Sequence, residues 1–157
     1  MQLSQGQGAR ARAAGVPDVH LRAWKALIVA HASVVERAEA ALAEAGLPPL
    51  AWYDVLWALR SSPGSRLRMG ELAEHVTISR GGLTRLTDRI ESAGLLRREL
   101  CATDRRGFDA VLTPDGKAML RRMWPVYAGA LRESIVDRLS QADATVLART
   151  LEKLPPS

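Results

Sequence analysis

Cysteine is almost missing from this chain: Cys101 is alone among 157 residues. A single thiol excludes an intrachain disulfide framework and a cysteine-built zinc site. Long apolar runs are missing too. None approaches the roughly 20 residues of a membrane span. The opening MQLSQGQGAR has no apolar stretch of the secretory kind, so the expected address is the cytoplasm. Lysine is scarce, standing only at positions 25, 117 and 153, so that 19 of the 22 basic residues are arginine. GC-rich coding produces that bias, and so does selection for a planar fork of donors that reads phosphates and base edges. Composition does not separate the two. What is present is ordinary for a globular chain: 47% hydrophobic and 25% charged residues, with a formal net charge of +5. Wholesale disorder is excluded, and the length suffices for a core without crosslinks.

The charge is uneven. Residues 60–110 hold ten Arg against seven acids, the densest Arg content of the chain. Such an excess is compatible with nucleic acid and equally with a solvated surface.

Residues 1–15, rich in Gln, Gly, Ala and Arg, read as a disordered tail. Apolar residues Trp24, Leu27, Ile28, Val34, Val35, Ala38 and Leu42 recur at helical spacing and predict a helix over 18–45, with Asp18 as its cap and Gly46 as its stop. A second helix is predicted over 50–60, a loop over 61–65, and a short helix over 70–76 behind the poor caps Arg68 and Met69. After a tight turn at Thr77-Ile78, Ser79 caps a helix to about residue 92, and Gly94 suits the position that ends it. Residues 95–100 and 107–112 are β-compatible and flank a polar turn, which predicts a hairpin. Thr113 caps a long helix to about residue 139, kinked by Pro125, and Ser140 opens a last helix that Pro155-Pro156 end.

Short helix, tight turn, helix and hairpin in that order make a winged helix-turn-helix. At 100° per residue, Leu83, Leu86 and Ile90 fall within about 60° of one another, a narrow core stripe. Gly81, Thr84, Arg85, Asp88, Arg89 and Ser92 lie opposite. Gly81 and Gly82 remove bulk at the helix end whose free N–H groups approach a phosphate. Arg85 is best placed to reach a guanine edge with two parallel bonds. Taken alone, this helix reads as an ordinary amphipathic surface helix. The hairpin tip, Asp104-Arg105-Arg106-Gly107, adds two adjacent arginines suited to a minor groove. The candidate DNA-binding set is Ser79, Arg80, Gly81, Thr84, Arg85, Arg89, Asp104, Arg105 and Arg106.

Asp104-x-Arg106, five residues, Leu112-Thr113, two residues and Gly116 resemble the wing signature of the MarR family of bacterial transcription regulators. Gly70-Glu-Leu-Ala73 and Thr84-Arg-Leu-Thr-Asp-Arg-Ile-Glu-Ser-Ala-Gly-Leu95 resemble that family's helix-turn-helix. The resemblance covers about residues 18–154. It implies a mainly α fold with a small β-hairpin wing, residues 16–157 forming one domain. The winged helix-turn-helix then occupies about 50–112, between dimerisation helices at about 18–45 and 114–154. It also implies a homodimer on double-stranded DNA, with the recognition helix in the major groove and the wing in the minor groove. Two such helices meet successive major grooves of a pseudo-palindromic operator, about 34 Å apart. A small effector that releases DNA is implied as well. The reading is a dimeric repressor. Its rival is a helical interaction module that keeps the scaffold without DNA binding.

Trp24, Trp52, Tyr53, Trp57 and Trp124 sit on the helices around the family's pocket, which suits a flat, weakly anionic aromatic effector. Ser79-Arg-Gly-Gly-Leu-Thr with Asp88 resembles the urate-responsive branch of the family. That likeness makes Trp24, Asp88 and Arg121 the counterparts of the urate-holding residues, with Trp52 a further candidate. No catalytic constellation stands out. His20 and His31 share a helix face about 16 Å apart, too far to share one metal. No cofactor is implied, and Cys101 reads as a small, partly buried strand residue.

Overall fold

The computed structural model describes residues 15–76, 80–101 and 107–154, the side chain of Arg80 excepted. The 1–15 tail, apart from Gly15, lies outside them. So do Thr77, Ile78, Ser79, the hairpin tip with Asp104, Arg105 and Arg106, and the prolines at 155–156. Six α-helices and three strands are described: α1 (Asp18–Glu44), α2 (Leu50–Ser61), β1 (Arg66–Arg68), α3 (Met69–His75), α4 (Arg80–Ser92), β2 (Leu96–Leu100), β3 (Phe108–Leu112), α5 (Pro114–Leu131) and α6 (Gln141–Leu151). A 3-10 turn at Pro63–Ser65 precedes β1, and a π-helical turn at Arg132–Val136 follows α5. No described helix is long and apolar enough to cross a membrane.

The chain falls into two compact units, residues 1–37 and 38–157. In the first, α1 presents Val19, Trp24, Ile28 and Val29 to solvent. In the second, the apolar stripes converge. Leu42, Leu56, Leu59, Leu72, Leu83, Ile90, Leu96 and Met123 are buried, and Asp18–Glu44 contributes its last turns through Ala38 and Leu42. Glu39 reaches forward to accept the N–H of Leu50 at 3.1 Å, capping α2 where Pro49 offers no side-chain oxygen.

The expected caps hold at two places. Thr113 Oγ1 accepts from the Gly116 N–H at 3.0 Å, and Ser140 Oγ accepts from the Asp143 N–H at 3.1 Å while the Asp143 carboxylate accepts in return. Elsewhere the structure corrects the sequence. α1 begins at Asp18 itself, with the carbonyl of Pro17 taking the first bonds from His20 and Leu21. α3 is capped from within, by the Glu71 carboxylate accepting the Arg68 N–H at 3.1 Å; a guanidinium has no acceptor to complete the pair. Pro125 is carried inside α5, and α geometry gives way only at Arg132–Val136. The single helix expected to about residue 139 is therefore α5 plus a single π turn, where the Asp137 N–H reaches the Arg132 carbonyl and the coil widens.

The hairpin is wider than two strands. β1 pairs antiparallel with β3, which pairs antiparallel with β2, in the order β1-β3-β2. Leu67 faces Ala110, and Leu96 faces Leu112. β1, in a stretch left unassigned by periodicity, ties the start of α3 to the wing.

Candidate nucleic-acid interface

α4 carries the site. Its buried stripe is the expected one, Leu83, Leu86 and Ile90, with Thr87 as an unexpected fourth member. Thr87 is tolerated in the core because its hydroxyl donates to the carbonyls of Leu83 and Thr84, at 3.0 and 2.9 Å. Opposite this stripe, Gly81, Thr84, Arg85, Asp88 and Arg89 are exposed. Space is open around Gly81 where a Cβ would stand, so the backbone there is bare. α4 ends at Gly94, whose φ of +74° lets its N–H bond the Glu91 carbonyl and the Leu95 N–H bond that of Ile90.

The arginines around α4 are not equivalent. Arg89 is exposed, yet its guanidinium lies 5.9 Å from the ring centre of Trp52 on α2, a cation–π pair that ties it back to the body. Arg97 is held by Glu99 at 2.7 Å. Arg85 has no ion pair among the described residues. Arg80 is the first residue of α4. Ser79, Asp104, Arg105 and Arg106 lie outside the described residues.

Sequence reasoning missed Arg98 on β2. One terminal nitrogen donates to Asp88 at 2.6 Å and to Glu91 at 3.1 Å, and the other donates to Thr87 Oγ1 at 2.6 Å. Glu91 also accepts the Arg98 backbone N–H at 2.8 Å. One side chain thus clamps the wing to the recognition helix and completes the buried Thr87. The β-compatible stretch 95–100 placed it in a strand, but nothing local named its partners. We expect Arg98→Ala to cost about 1–3 kcal/mol, because it strips charged hydrogen bonds from half-buried partners. Asp88→Ala should cost under about 1 kcal/mol, since Asp88 is 53% exposed and its pair is solvent-screened. Urea midpoints of the two variants check the ranking; equal losses would remove Arg98 from its place as the clamp.

A second cluster braces the other side of the wing. Arg66 donates to Asp109 at 2.8 Å and to Glu99 at 3.3 Å, linking β1 to both strands of the hairpin. Cys101 is buried and follows β2, its N–H bonding the Gly107 carbonyl at 3.0 Å.

The four effector candidates are dispersed over different elements. Trp24 is exposed on α1 in the first unit, and Arg121 is exposed on α5. Asp88 is engaged by Arg98, and no ion pair joins it to Arg121 among the described residues. Trp52 is half-buried, with its indole N–H buried and lacking a hydrogen-bond partner among the described residues. Among the described residues, no group of His, Cys, Asp or Glu is placed to hold a metal ion.

The junction behind the wing explains its glycine. Thr113 caps α5 and also donates to the Gly94 carbonyl at 2.7 Å, and its N–H bonds the Leu95 carbonyl at 3.2 Å. This draws the first turn of α5 onto the end of α4. A Cβ on Gly116 would overlap the Leu95 carbonyl oxygen and lie 2.6 Å from Leu112 Cδ1.

A sequence model described as MarR family matches residues 45–107. The crystal structure of Sco3205, a MarR family transcriptional regulator from Streptomyces coelicolor in complex with DNA, is 33% identical. The match covers 84% of this chain and 82% of that one, with a TM-score of 0.78. AbsC, a MarR family transcriptional regulator from the same organism, is also 33% identical over 87% of this chain and 92% of its own, with a TM-score of 0.78. At 21% identity, Bordetella bronchiseptica BpsR, whose DNA binding is regulated by 6-hydroxynicotinic acid, shares the fold over 84% of this chain and 97% of its own, with a TM-score of 0.74. A winged helix with an arginine-bearing outer face, matched over most of its length at one-third identity, makes this chain a member of the MarR family of DNA-binding transcriptional regulators.

Proposed function

We propose that the chain works as a homodimeric repressor whose α4 reads the major groove of a pseudo-palindromic operator and whose wing tip enters the minor groove. The observation that carries this reading is the outer face of α4. It offers the bare backbone of Gly81 beside an exposed Arg85 without an ion pair among the described residues, on a helix fixed from behind by a buried stripe and by Arg98. An interaction module has no need of that combination.

Apolar surface supports the dimer. Trp24 and Val29 on α1, Val136 in the π turn and Val146 on α6 are each more than half exposed. Large apolar side chains left in water on these helices are what a second copy across a two-fold axis would cover. An effector that releases DNA accords with BpsR, regulated by 6-hydroxynicotinic acid. The site is a binding site and not a catalytic one, and the protein acts in the cytoplasm.

A gel-shift titration of the dimer against DNA upstream of its own coding sequence tests the proposal. A sequence-specific shift at moderate salt is the expected result; its absence with dimeric protein overturns the reading. The wing is tested separately. Arg106→Ala should weaken cognate and scrambled duplexes alike and make the salt slope shallower by about one unit per lost phosphate contact. An unchanged slope removes the tip from the interface.

A further inference from the structure

An apolar row on one face of the wing outruns the body. Side chains alternate between the two faces of a strand, and residues directly opposite each other in a ladder share a face. β2 and β3 pair Leu96 with Leu112, Arg98 with Ala110 and Leu100 with Phe108, so these residues stand in three rows on one face. Leu96, Leu112 and Ala110 are buried. The third row is not: Leu100 is 64% exposed and Phe108 is 48% exposed. The ladder continues past it, since the Cys101 N–H bonds the Gly107 carbonyl at 3.0 Å. The pair therefore stands on regular strand, at the end of the wing nearer the tip.

Arg98 fixes which way this face looks. From the middle row its guanidinium reaches Thr87, Asp88 and Glu91 on α4, and the Thr84 carbonyl at 3.4 Å. The row beyond it thus stands in the angle between the wing and the recognition helix. The opposite face of the sheet carries Arg66, Arg68, Arg97, Glu99 and Asp109, so the wing is polar where it meets water in the ordinary way. A lone exposed leucine needs no explanation. Two large apolar residues paired directly beside a DNA-reading helix do.

We propose that Leu100 and Phe108 pack on deoxyriboses of the operator strand that passes between α4 and the wing, an apolar contact that salt does not weaken. It rests on the reading above, in which α4 enters a major groove and the wing the adjacent minor groove. Elements so placed straddle one sugar–phosphate strand, and side chains in the angle between them meet that strand. Phosphates are met by donors, and neither Leu100 nor Phe108 has one. The apolar part of the strand is the carbon edge of its sugars. Phe and Leu serve as wedges between base steps in proteins that kink the minor groove. Here the pair stands behind the tip, on the face turned to α4, where it reaches a sugar and not a base step. The surface is continuous with the exposed face of α4, which commits it to DNA.

The test compares the full-length dimer with Leu100→Thr and Phe108→Thr on the operator over a series of salt concentrations. Threonine keeps strand propensity and removes most of the apolar body. Each variant should bind at least about tenfold more weakly, from the apolar area left in water. The plot of log affinity against log salt should shift in parallel, with no change of slope, unlike that of Arg106→Ala. Melting temperatures should stay within about 2 °C of the parent, since both side chains are exposed in the free protein. A scan of single ribonucleotides through the operator adds a second readout. A 2′-hydroxyl on a contacted sugar should weaken the parent protein and leave Phe108→Thr unmoved. Unchanged affinity, a changed slope, or identical ribonucleotide scans for the two proteins overturns the contact while the repressor reading stands. Loss of the dimer by light scattering assigns the row to a second copy and overturns it too. If the parent protein itself binds no operator, the repressor reading falls, and this contact with it.

Discussion

Replacing Arg85 with alanine should lower affinity for the cognate operator by about 1–3 kcal/mol per half-site, and about twice that for the dimer. Even the lower end is roughly a 30-fold loss. The magnitude follows from how this guanidinium is placed. It is exposed on α4 without an ion pair among the described residues, so it gives up no protein partner to reach a base edge. Its neighbours differ. Arg89 must leave the Trp52 ring, and Arg98 must leave four acceptors, before either can contact DNA. Arg89→Ala should therefore cost less than Arg85→Ala. Arg85→Lys should recover part of the non-specific affinity but little discrimination, because an ammonium lacks the planar fork. Isotherms on cognate and scrambled duplexes decide between base reading and phosphate contact. Equal loss on both duplexes would make Arg85 a backbone contact.

The second large effect concerns the fold. Gly116→Ala should destabilise by about 3 kcal/mol or more, at the upper end for overpacking. That corresponds to a fall in melting temperature of roughly 6–12 °C for a chain of this size. The added methyl meets a backbone carbonyl, that of Leu95, which has no rotamer to change. Relief would require pulling α5 off the end of α4, and with it the Thr113 bonds to Gly94 and Leu95. Gly129→Ala is the control. Gly129 is exposed within α5 with open space around its would-be Cβ, so the same change there should stabilise by about 0.5–1 kcal/mol. Matching melting curves for the two variants would contradict the junction described above.

Much of this molecule was legible in its sequence because its local signals agree. The stripe Leu83, Leu86 and Ile90 is buried, the caps Thr113 and Ser140 are in place, and the hairpin strands fall within a residue of their predicted ends. Each depends on near neighbours, which periodicity and capping rules report. What escaped depends on residues distant in sequence. β1 is three residues long, too short for alternation to show, and exists because β3 offers it an edge more than 40 positions later. Arg98 is an unremarked strand arginine until folding sets it against Thr87, Asp88 and Glu91. The Asp88 side of that pairing was equally illegible, because its partner lies ten positions further on in a different element. The π turn at Arg132–Val136 has no helix breaker to announce it, whereas Pro125, which does, sits inside an uninterrupted helix.

The central claim is that two copies of α4 read one operator through successive major grooves. Footprinting the dimer with guanine-methylation interference on its upstream DNA tests it most directly. The predicted pattern is two clusters of essential guanine N7 positions, centred about one helical turn apart, about 10 base pairs, and related by two-fold symmetry. Their weight should shift when Arg85 is replaced. Binding that saturates with no interference at any guanine, or with a single cluster unaffected by Arg85→Ala, would contradict it.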